Sequence, residues 1–289
     1  IDRAEAALPY TMTMVGFALG NFGIGRIVDR FGVTTALIGA AVMISAATAL
    51  AAISPSIVIV SILQVVIGFG TAASFGPLIA DVSLWFLRRR GIAVAITASG
   101  NYLSGAIWPI VLSGILASEG WRAVYLVLAA VTLVVMVPLA LVLRRRVPLA
   151  ARAHADGVSN LRAQSAGFSP RTLMQLLGVA GVGCCVAMSM PQVHIVSLCV
   201  DMGYGPAVGG QMLSLMLLGG VGSRLVSGLL ADRLGAVVTL LLGSVLQCLA
   251  LFLYLPAGGL VSLYMVSLVF GLAQGGIVPS YALVVREYM

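Results

Sequence analysis

One basic side chain stands inside an apolar stretch of the sequence, and it is the residue best suited to bind a ligand. Arg224 falls within a predicted membrane span over 207–230, eight residues before Asp232. At 1.5 Å per residue, it lies about 12 Å from a helix end at that point. An arginine near the centre of a bilayer costs about 2.5–3.5 kcal/mol, and no acidic residue lies well inside any predicted span to pair with it. Such a cation suits a carboxylate ligand, which the planar guanidinium can hold through two hydrogen bonds.

Two interpretations of this arginine remain open. Gly220 and Gly228 lie one turn to either side of Arg224, and Ser223 and Ser227 lie beside it. These small neighbours predict room for a ligand, so we expect Arg224 to bind the substrate. In the alternative, the long side chain extends toward the headgroups at the nearer membrane surface.

Further polar side chains fall inside predicted spans, and we expect them to face the same binding site. They are Asn21, Asn101, His194 and Gln274, with Trp108 as an aromatic candidate. Histidine changes its charge near neutral pH, which makes His194 a candidate proton relay. The alternative for each is a structural hydrogen bond between helices. A membrane-embedded enzyme needs a cluster of nucleophile, base or metal ligands, and we predict no catalytic residue, no metal and no cofactor.

The composition places the chain in a membrane. Of its 289 residues, 61% are hydrophobic and 9% are charged, whereas soluble domains carry about 25% charged residues. No charged residue occurs over 31–80 or 234–285, and about 20 apolar residues are enough to cross a bilayer core. The alternation typical of a β-barrel is absent. We predict an all-α, polytopic helical membrane protein, and we interpret the net charge of +7 as topology rather than as a nucleic-acid surface.

Nine membrane-spanning helices are predicted. They cover 6–25, 34–53, 57–80, 91–117, 121–143, 172–200, 207–230, 236–255 and 260–285. The segments Ser54-Pro55-Ser56, Glu119-Gly120 and 256–259 separate neighbouring spans because proline and glycine interrupt helices. The segment 144–171 is polar and rich in arginine, without apolar periodicity. We therefore predict one helical bundle over 1–143, a linker over 144–171 and a second bundle over 172–289.

The arginines predict the orientation of these bundles. Placing successive loops on alternate sides collects 13 of the 16 basic residues on the side of the linker. An excess of Lys and Arg marks the cytoplasmic side, so we predict a cytoplasmic linker in a plasma membrane or bacterial-type inner membrane. The chain then begins outside, at Ile1 rather than Met, and we expect an earlier helix to precede it.

One phrase occurs twice, 203 positions apart: "GRIVDRFG" at 25–32 and "GLLADRLG" at 228–235. Gly68 and Gly271 keep the same offset, and the spans 34–53 and 57–80 map onto spans of the second half. The offset predicts one helix before the chain and two after it. The complete protein would then have two six-helix halves that run in the same direction.

The doubled phrase resembles the signature loop of the major facilitator superfamily, between the second and third helices and again between the eighth and ninth. Three other phrases resemble its monocarboxylate transporter and oxalate/formate antiporter branch: "WFLRRRGIAVAITASGNYLSG" at 85–105, "EGWRAVYLV" at 119–127 and "MPQVHIVSLCVDMGYGP" at 190–206. The resemblance implies the major facilitator fold, with helices 2–6 of the family in the first bundle and helices 7–10 in the second.

The resemblance also carries residue roles. Arg224 matches an arginine on the eighth helix of monocarboxylate-type carriers, whereas Gly220 stands where the family often has an acidic residue. Val33 and Thr34 stand where two basic residues often follow the first motif. The family's motif acts as a latch between the halves on the cytoplasmic side, which implies gating roles for Gly25, Asp29, Arg30, Gly32, Gly228, Asp232, Arg233 and Gly235.

An ordinary turn with surface ion pairs is the alternative to the latch, and such pairs contribute about 0–1 kcal/mol. Glycine at both ends of the phrase permits a tight turn, and the aspartate suits the positive end of a helix dipole. Both features fit a loop that holds neighbouring helices together.

These observations predict a secondary active transporter that works as a monomer in the lipid bilayer. We expect it to move a small organic anion, a mono- or dicarboxylate, by alternating access. Proton symport and anion exchange both stay open, because Gly220 replaces the acidic residue. The alternative within the superfamily is a multidrug exporter of neutral or cationic solutes, in which we would expect a buried carboxylate. A signalling receptor would not need two matching halves.

Overall fold

The computed structural model describes residues 3–86, 88–144 and 169–288. Throughout these residues the secondary structure is helical, and no strand occurs in them, which confirms the predicted all-α class. The helices are α1 (Arg3–Phe31), α2 (Val33–Ala52), α3 (Ile57–Thr71), α4 (Gly76–Trp85), α5 (Arg90–Val142), α6 (Pro170–Asp201), α7 (Pro206–Leu234), α8 (Ala236–Phe252), α9 (Leu260–Gln274) and α10 (Ile277–Tyr288).

The predicted interruptions at proline and glycine are confirmed. Helix α2 ends before the Ser54-Pro55-Ser56 segment, and the Ser56 side chain accepts a hydrogen bond from the Val58 amide at 3.2 Å, which caps α3. Helix α5 contains Gly120 with φ 82°, which is not helical. This break divides its 53 residues into the two spans that the sequence predicts.

Six helical stretches among the described residues are long and apolar enough to cross a membrane. They are Val33–Ala52, Ile57–Trp85, Arg90–Val142, Arg171–Asp201, Pro206–Leu234 and Leu260–Tyr288. The stretch over α5 is long enough for two crossings. Helix α8 has 17 residues, about 26 Å of helix, which is slightly short for one crossing. The crossings predicted for α1 and α8 therefore stay predictions.

The doubled phrase is helical rather than a loop, which corrects the prediction. Helix α1 continues to Phe31 and α7 continues to Leu234, so all but the last glycine of each phrase lies in a helix. The turn is made by one residue in each half, Gly32 with φ 83° and Gly235 with φ 88°. Positive φ at both positions explains why glycine ends both phrases.

Two predicted spans are broken at matching positions, which the sequence reading missed. A 3₁₀ turn over Ala72–Ser74 separates α3 from α4, and Gly275 and Gly276 separate α9 from α10. Ala72 and Gly275 differ by the 203-residue offset of the repeat. Interrupted helices at corresponding positions of two repeats are typical of transporters.

Close helix crossings follow the same repeat. In α3, a side chain at Gly68 would collide with the backbone carbonyl of Thr13 on α1. In α9, a side chain at Gly271 would collide with the carbonyl of Met216 on α7. Each member of the second pair lies 203 positions after its counterpart in the first. The repeat is therefore present in the packing of each half as well as in the sequence.

The chain divides into two compact units. One contains the helices up to Asp81 together with the segment that starts at Val111, and the other contains Val82–Ile110 with α6 to α10. The first part of α5 thus packs with helices of the second half. The division into bundles over 1–143 and 172–289 stays a prediction. Most of the linker predicted over 144–171 lies outside the described residues.

Candidate functional site

Arg224 lies on the buried face of α7 and is 2% exposed. Its Nε donates a hydrogen bond to the carbonyl of Gly275 at 3.0 Å, and its Nη1 donates to the carbonyl of Ala98 on α5. The guanidinium carbon lies 3.6 Å from the ring centroid of Tyr102. One side chain therefore joins α7 to α5 and to the break between α9 and α10.

The Gly275 carbonyl is free to accept this bond because of the residue four positions later. An α-helix would pair it with the amide of residue 279, but Pro279 has no amide hydrogen. The break after Gln274 thus presents an unpaired carbonyl, and Arg224 supplies the missing donor. A hydrogen bond with a charged donor is stronger than one between neutral groups.

Tyr102 fills the space beside the guanidinium. The tyrosine is 7% exposed, and a side chain at Gly220 would collide with its ring. Its hydroxyl lies 3.5 Å from Sδ of Met188 on α6. Similarly, a Cβ at Gly228 would lie 2.6 Å from Cβ of Ala95. The expectation that small neighbours leave room for a ligand was wrong for this conformation, because α5 occupies that room.

The contacts of Arg224 do not match a lipid-facing side chain. Its bonding partners are two backbone carbonyls and an aromatic face inside the unit. In the part of the chain that the structure describes, no carboxylate contacts this guanidinium. The positive charge is thus surrounded by neutral groups.

Asp232 binds the first turn of α5. One carboxylate oxygen accepts a hydrogen bond from the amide of Gly91 at 2.6 Å, and the other accepts from Ile92 at 3.1 Å. The first amides of a helix have no partner within it, and the helix dipole favours a negative group there. The predicted preference of this aspartate for a helix N-terminus is therefore confirmed for the second phrase. Arg233 beside it is exposed.

The corresponding residues of the first phrase are arranged differently. Asp29 and Gly25 are exposed. Arg30 is also exposed and lies over the ring of Phe31, 5.3 Å from its centroid. Within the described residues, Asp29 makes no hydrogen bond like that of Asp232. The latch role of the first phrase stays a prediction.

The role of the other predicted site residues at a substrate site stays a prediction, and the structure gives the surroundings of each. Asn101 and His194 are exposed, and Trp108 is half-buried. Asn21 is exposed and donates to the Phe17 carbonyl of its own helix at 2.8 Å. Gln274 precedes the carbonyl that Arg224 binds; it is 0% exposed, and both its amide atoms lack a partner among the described residues.

The sequence reading missed Tyr102, Ala98 and Gly275 as partners of Arg224. A signal was present for two of them. Gly275 precedes a proline by four residues, and Tyr102 lies on a face of α5 that otherwise carries small residues. No spacing in the sequence links these positions to Arg224, because they belong to separate helices.

Comparison with known proteins identifies relatives of the chain. The model of the Major Facilitator Superfamily matches residues 1–289. Human monocarboxylate transporter 11 is 33% identical over 168 residues, 57% of this chain and 35% of the relative. The agnestins efflux protein AgnL12 of Paecilomyces divaricatus is 27% identical over 220 residues, which cover 73% of this chain and 47% of the relative. The probable sulfoacetate transporter SauU of Cupriavidus necator is 36% identical over 110 residues, which cover 38% of this chain and 26% of the relative. The chain spans less than half the length of each of these relatives.

Proposed function

The chain belongs to the major facilitator superfamily, and from that premise we propose that it is a secondary transporter for a small organic anion, a mono- or dicarboxylate. The family and the helices long enough to cross a bilayer make it an integral, multi-pass membrane protein, and the family is one of transporters rather than enzymes. The observation that carries the anion proposal is a buried arginine whose partners, within the described part of the chain, are all neutral.

An uncompensated guanidinium is costly in a low-dielectric interior. Backbone carbonyls and an aromatic face offset part of that cost, but they leave a full positive charge at the site. A carboxylate neutralises that charge and matches the planar fork of the guanidinium through two parallel hydrogen bonds. The relatives named for a monocarboxylate and for sulfoacetate fit this proposal.

The substrate reaches the site by alternating access, in which parts of the transporter rock around a binding site near the middle of the membrane. Asn21, Asn101, His194 and Gln274 contribute further polar contacts to the substrate in other conformations of this cycle. The motif residues hold the closed side shut. Asp232 contributes to this latch by binding the first turn of α5.

Export of a neutral or cationic solute is the second candidate function, and one observation favours it. A relative named as an efflux protein matches 73% of the chain. A site for a cation would contain a buried carboxylate. Transport of a neutral or cationic solute that survives loss of the Arg224 charge would support this candidate.

Uptake into proteoliposomes tests the anion proposal. The substrates are radiolabelled lactate, pyruvate, formate and oxalate, and the variants are Arg224→Gln and Arg224→Lys. We expect saturable uptake that Arg224→Gln abolishes and that Arg224→Lys reduces, since lysine keeps the charge but loses the fork. Arg26→Gln is the matched control, because Arg26 is exposed on α1 and, among the residues that the structure describes, bonds only the Phe22 carbonyl of its own helix.

The same assay separates the two modes of coupling. Uptake driven by an inward proton gradient indicates symport, whereas uptake that requires a second anion inside the vesicle indicates exchange. Equal uptake by the wild type and Arg224→Gln would refute the role of Arg224, provided that both proteins elute as single folded species.

A further inference from the structure

Helices α5 and α7 pack along one continuous stripe with Arg224 at its middle. On α5 the stripe runs through Gly91, Ala95, Ala98, Tyr102 and Gly105, and on α7 it runs antiparallel through Asp232, Gly228, Arg224, Gly220 and Leu217. At 1.5 Å per residue the contact extends for about 21 Å. The charged group that we propose to bind substrate is thus inside a helix–helix interface.

Three features of the stripe hold α5 over Arg224. Asp232 binds the helix at its first turn. The Ala98 carbonyl accepts one N–H of the guanidinium, and the ring of Tyr102 covers its face. Gly220 is essential for the last contact, because any side chain at that position would displace the ring.

The guanidinium cannot bind a carboxylate through two hydrogen bonds while it keeps its contacts with α5. A guanidinium has five N–H donors, and two of them are used by the Gly275 and Ala98 carbonyls. A bidentate ligand needs two parallel donors on one edge of the fork. Because the side chain is 2% exposed, a ligand gains access to that edge only after α5 moves away.

We propose that Tyr102 is the positioning residue that closes α5 over Arg224, and that a carboxylate binds by taking the place of Tyr102 and the Ala98 carbonyl on the guanidinium. This inference rests on the proposed anion site and adds how that site is regulated. The substrate competes with α5 for one cation, so binding an anion favours the separation of α5 from α7. The Gly275 bond is made by a different edge of the fork and keeps the guanidinium oriented throughout.

Competition between the ligand and α5 predicts that weakening the closed conformation tightens ligand binding, whereas a general loss of packing predicts no such gain. A ligand that binds only the open conformation has an apparent affinity reduced by the small population of that conformation. Removing the aromatic face in Tyr102→Leu weakens the closed conformation, so binding should become about tenfold tighter. Tyr102→Phe keeps the aromatic face and removes the hydroxyl, with its contact to Met188 and its interaction with Arg224, so its Kd should stay much closer to that of the wild type than the Kd of Tyr102→Leu.

The first experiment measures equilibrium binding of radiolabelled oxalate and pyruvate to the purified full chain in nanodiscs. A lower Kd in Tyr102→Leu, with a clearly smaller change in Tyr102→Phe, supports the proposal. A higher or unchanged Kd in Tyr102→Leu overturns it, because the ring would then support the ligand or have no part in binding. If neither acid binds the wild type, the anion site itself fails.

The second experiment reports on α5 without any ligand, so the two proposals can fail separately. Ala95→Cys is introduced after the four native cysteines are replaced by alanine; Ala95 is 0% exposed, on the α5 side of the stripe. We expect a small thiol reagent to label this cysteine about tenfold faster in the Tyr102→Leu background than in Tyr102→Phe. Equal labelling rates overturn the role of Tyr102 even if the acids bind.

A disulfide across the stripe tests the requirement for movement and does not depend on the folding of Tyr102→Leu. A Cβ at Gly105 would lie 3.0 Å from Cδ1 of Leu217, so the two positions face each other in side-chain contact. Gly105→Cys with Leu217→Cys is therefore the pair to cross-link, and thiol titration checks that the disulfide forms. In the cysteine-free background, the oxidised form should lose oxalate binding and the reduced form should recover it. Equal binding by both forms overturns the proposal.

Discussion

Removal of the Asp232 carboxylate should release the first turn of α5. The side chain accepts hydrogen bonds from Gly91 and Ile92 at 2.6 and 3.1 Å. Hydrogen bonds to a charged group contribute about 1.5–3 kcal/mol each when buried, but Asp232 is exposed and water screens it. Loss of a capping side chain costs about 0.5–2 kcal/mol. We therefore expect Asp232→Ala to cost about 1–2 kcal/mol locally, and Asp232→Asn, which keeps one acceptor, about half of that.

Hydrogen–deuterium exchange resolved to single amides measures this cost where it arises. A change of about 1–2 kcal/mol corresponds to exchange about 5- to 30-fold faster at the Gly91 and Ile92 amides. Asp29→Ala is the matched control, because this carboxylate has the same position in the first phrase and is exposed. It should leave both amides unchanged.

Two results would refute the reasoning. Unchanged exchange at both amides in Asp232→Ala would show that the carboxylate does not cap the helix in solution. Faster exchange along the whole of α5 would show a general loss of stability instead of a local cap.

Two further predictions concern glycines that the repeat places in pairs. Gly68→Ala and Gly271→Ala should each destabilise the protein by about 1–3 kcal/mol, because the added methyl group meets a backbone carbonyl that cannot move aside. Gly222→Ala is the control: among the described residues a Cβ there meets nothing within 4 Å, so it should be neutral or slightly stabilising. Thermal unfolding in detergent measures all three. Gly32→Ala and Gly235→Ala should cost about 1–3 kcal/mol each, because both glycines combine a positive φ with an extended ψ (163° and 159°), a region that essentially only glycine adopts. Asparagine tolerates the left-handed helical region but not this one, so it should cost as much as alanine in the same assay; a clearly smaller loss for asparagine would contradict this backbone origin.

The course of the helices was largely predictable from the sequence. Long uncharged stretches require membrane spans, and Pro55, Gly120 and Pro256 mark the interruptions between them. The repeat was also visible, because one offset relates both the doubled phrase and the pair Gly68 and Gly271. These are local or periodic signals, which need no knowledge of which helices touch.

The ends of α1 and α7 were predicted wrongly because charge was taken to mark the end of a helix. Asp29 and Arg30 are compatible with helix, and nothing before Gly32 interrupts it. Likewise α7 continues through Asp232 and Arg233 until Gly235 changes the backbone direction. A charged residue ends the apolar part of a span, whereas the conformation of the backbone ends the helix.

The contacts of Arg224 were beyond the sequence because they depend on tertiary packing. Its position in a span without an intramembrane acid indicated only that it needs a ligand or other partners. That the partners are Tyr102 and the carbonyls of Ala98 and Gly275 follows only from how three helices meet. The sequence around a residue shows that it needs hydrogen-bonding partners, but it does not show which residues of other helices those partners are.

The paired crossings also determine what kind of force joins these helices. Where a glycine meets a carbonyl, the hydrogen it carries in place of Cβ points at the oxygen, as Gly68 does toward Thr13 and Gly271 toward Met216. Such Cα–H···O contacts are weak dipolar bonds, and lipid tails offer no solvent that competes for them. Inside a bilayer, apolar helix faces gain nothing from leaving water, since lipid tails are as apolar as the side chains they replace. Close packing and these dipolar contacts must therefore join the helices, and the strength of both crossings depends on how near the two backbones approach.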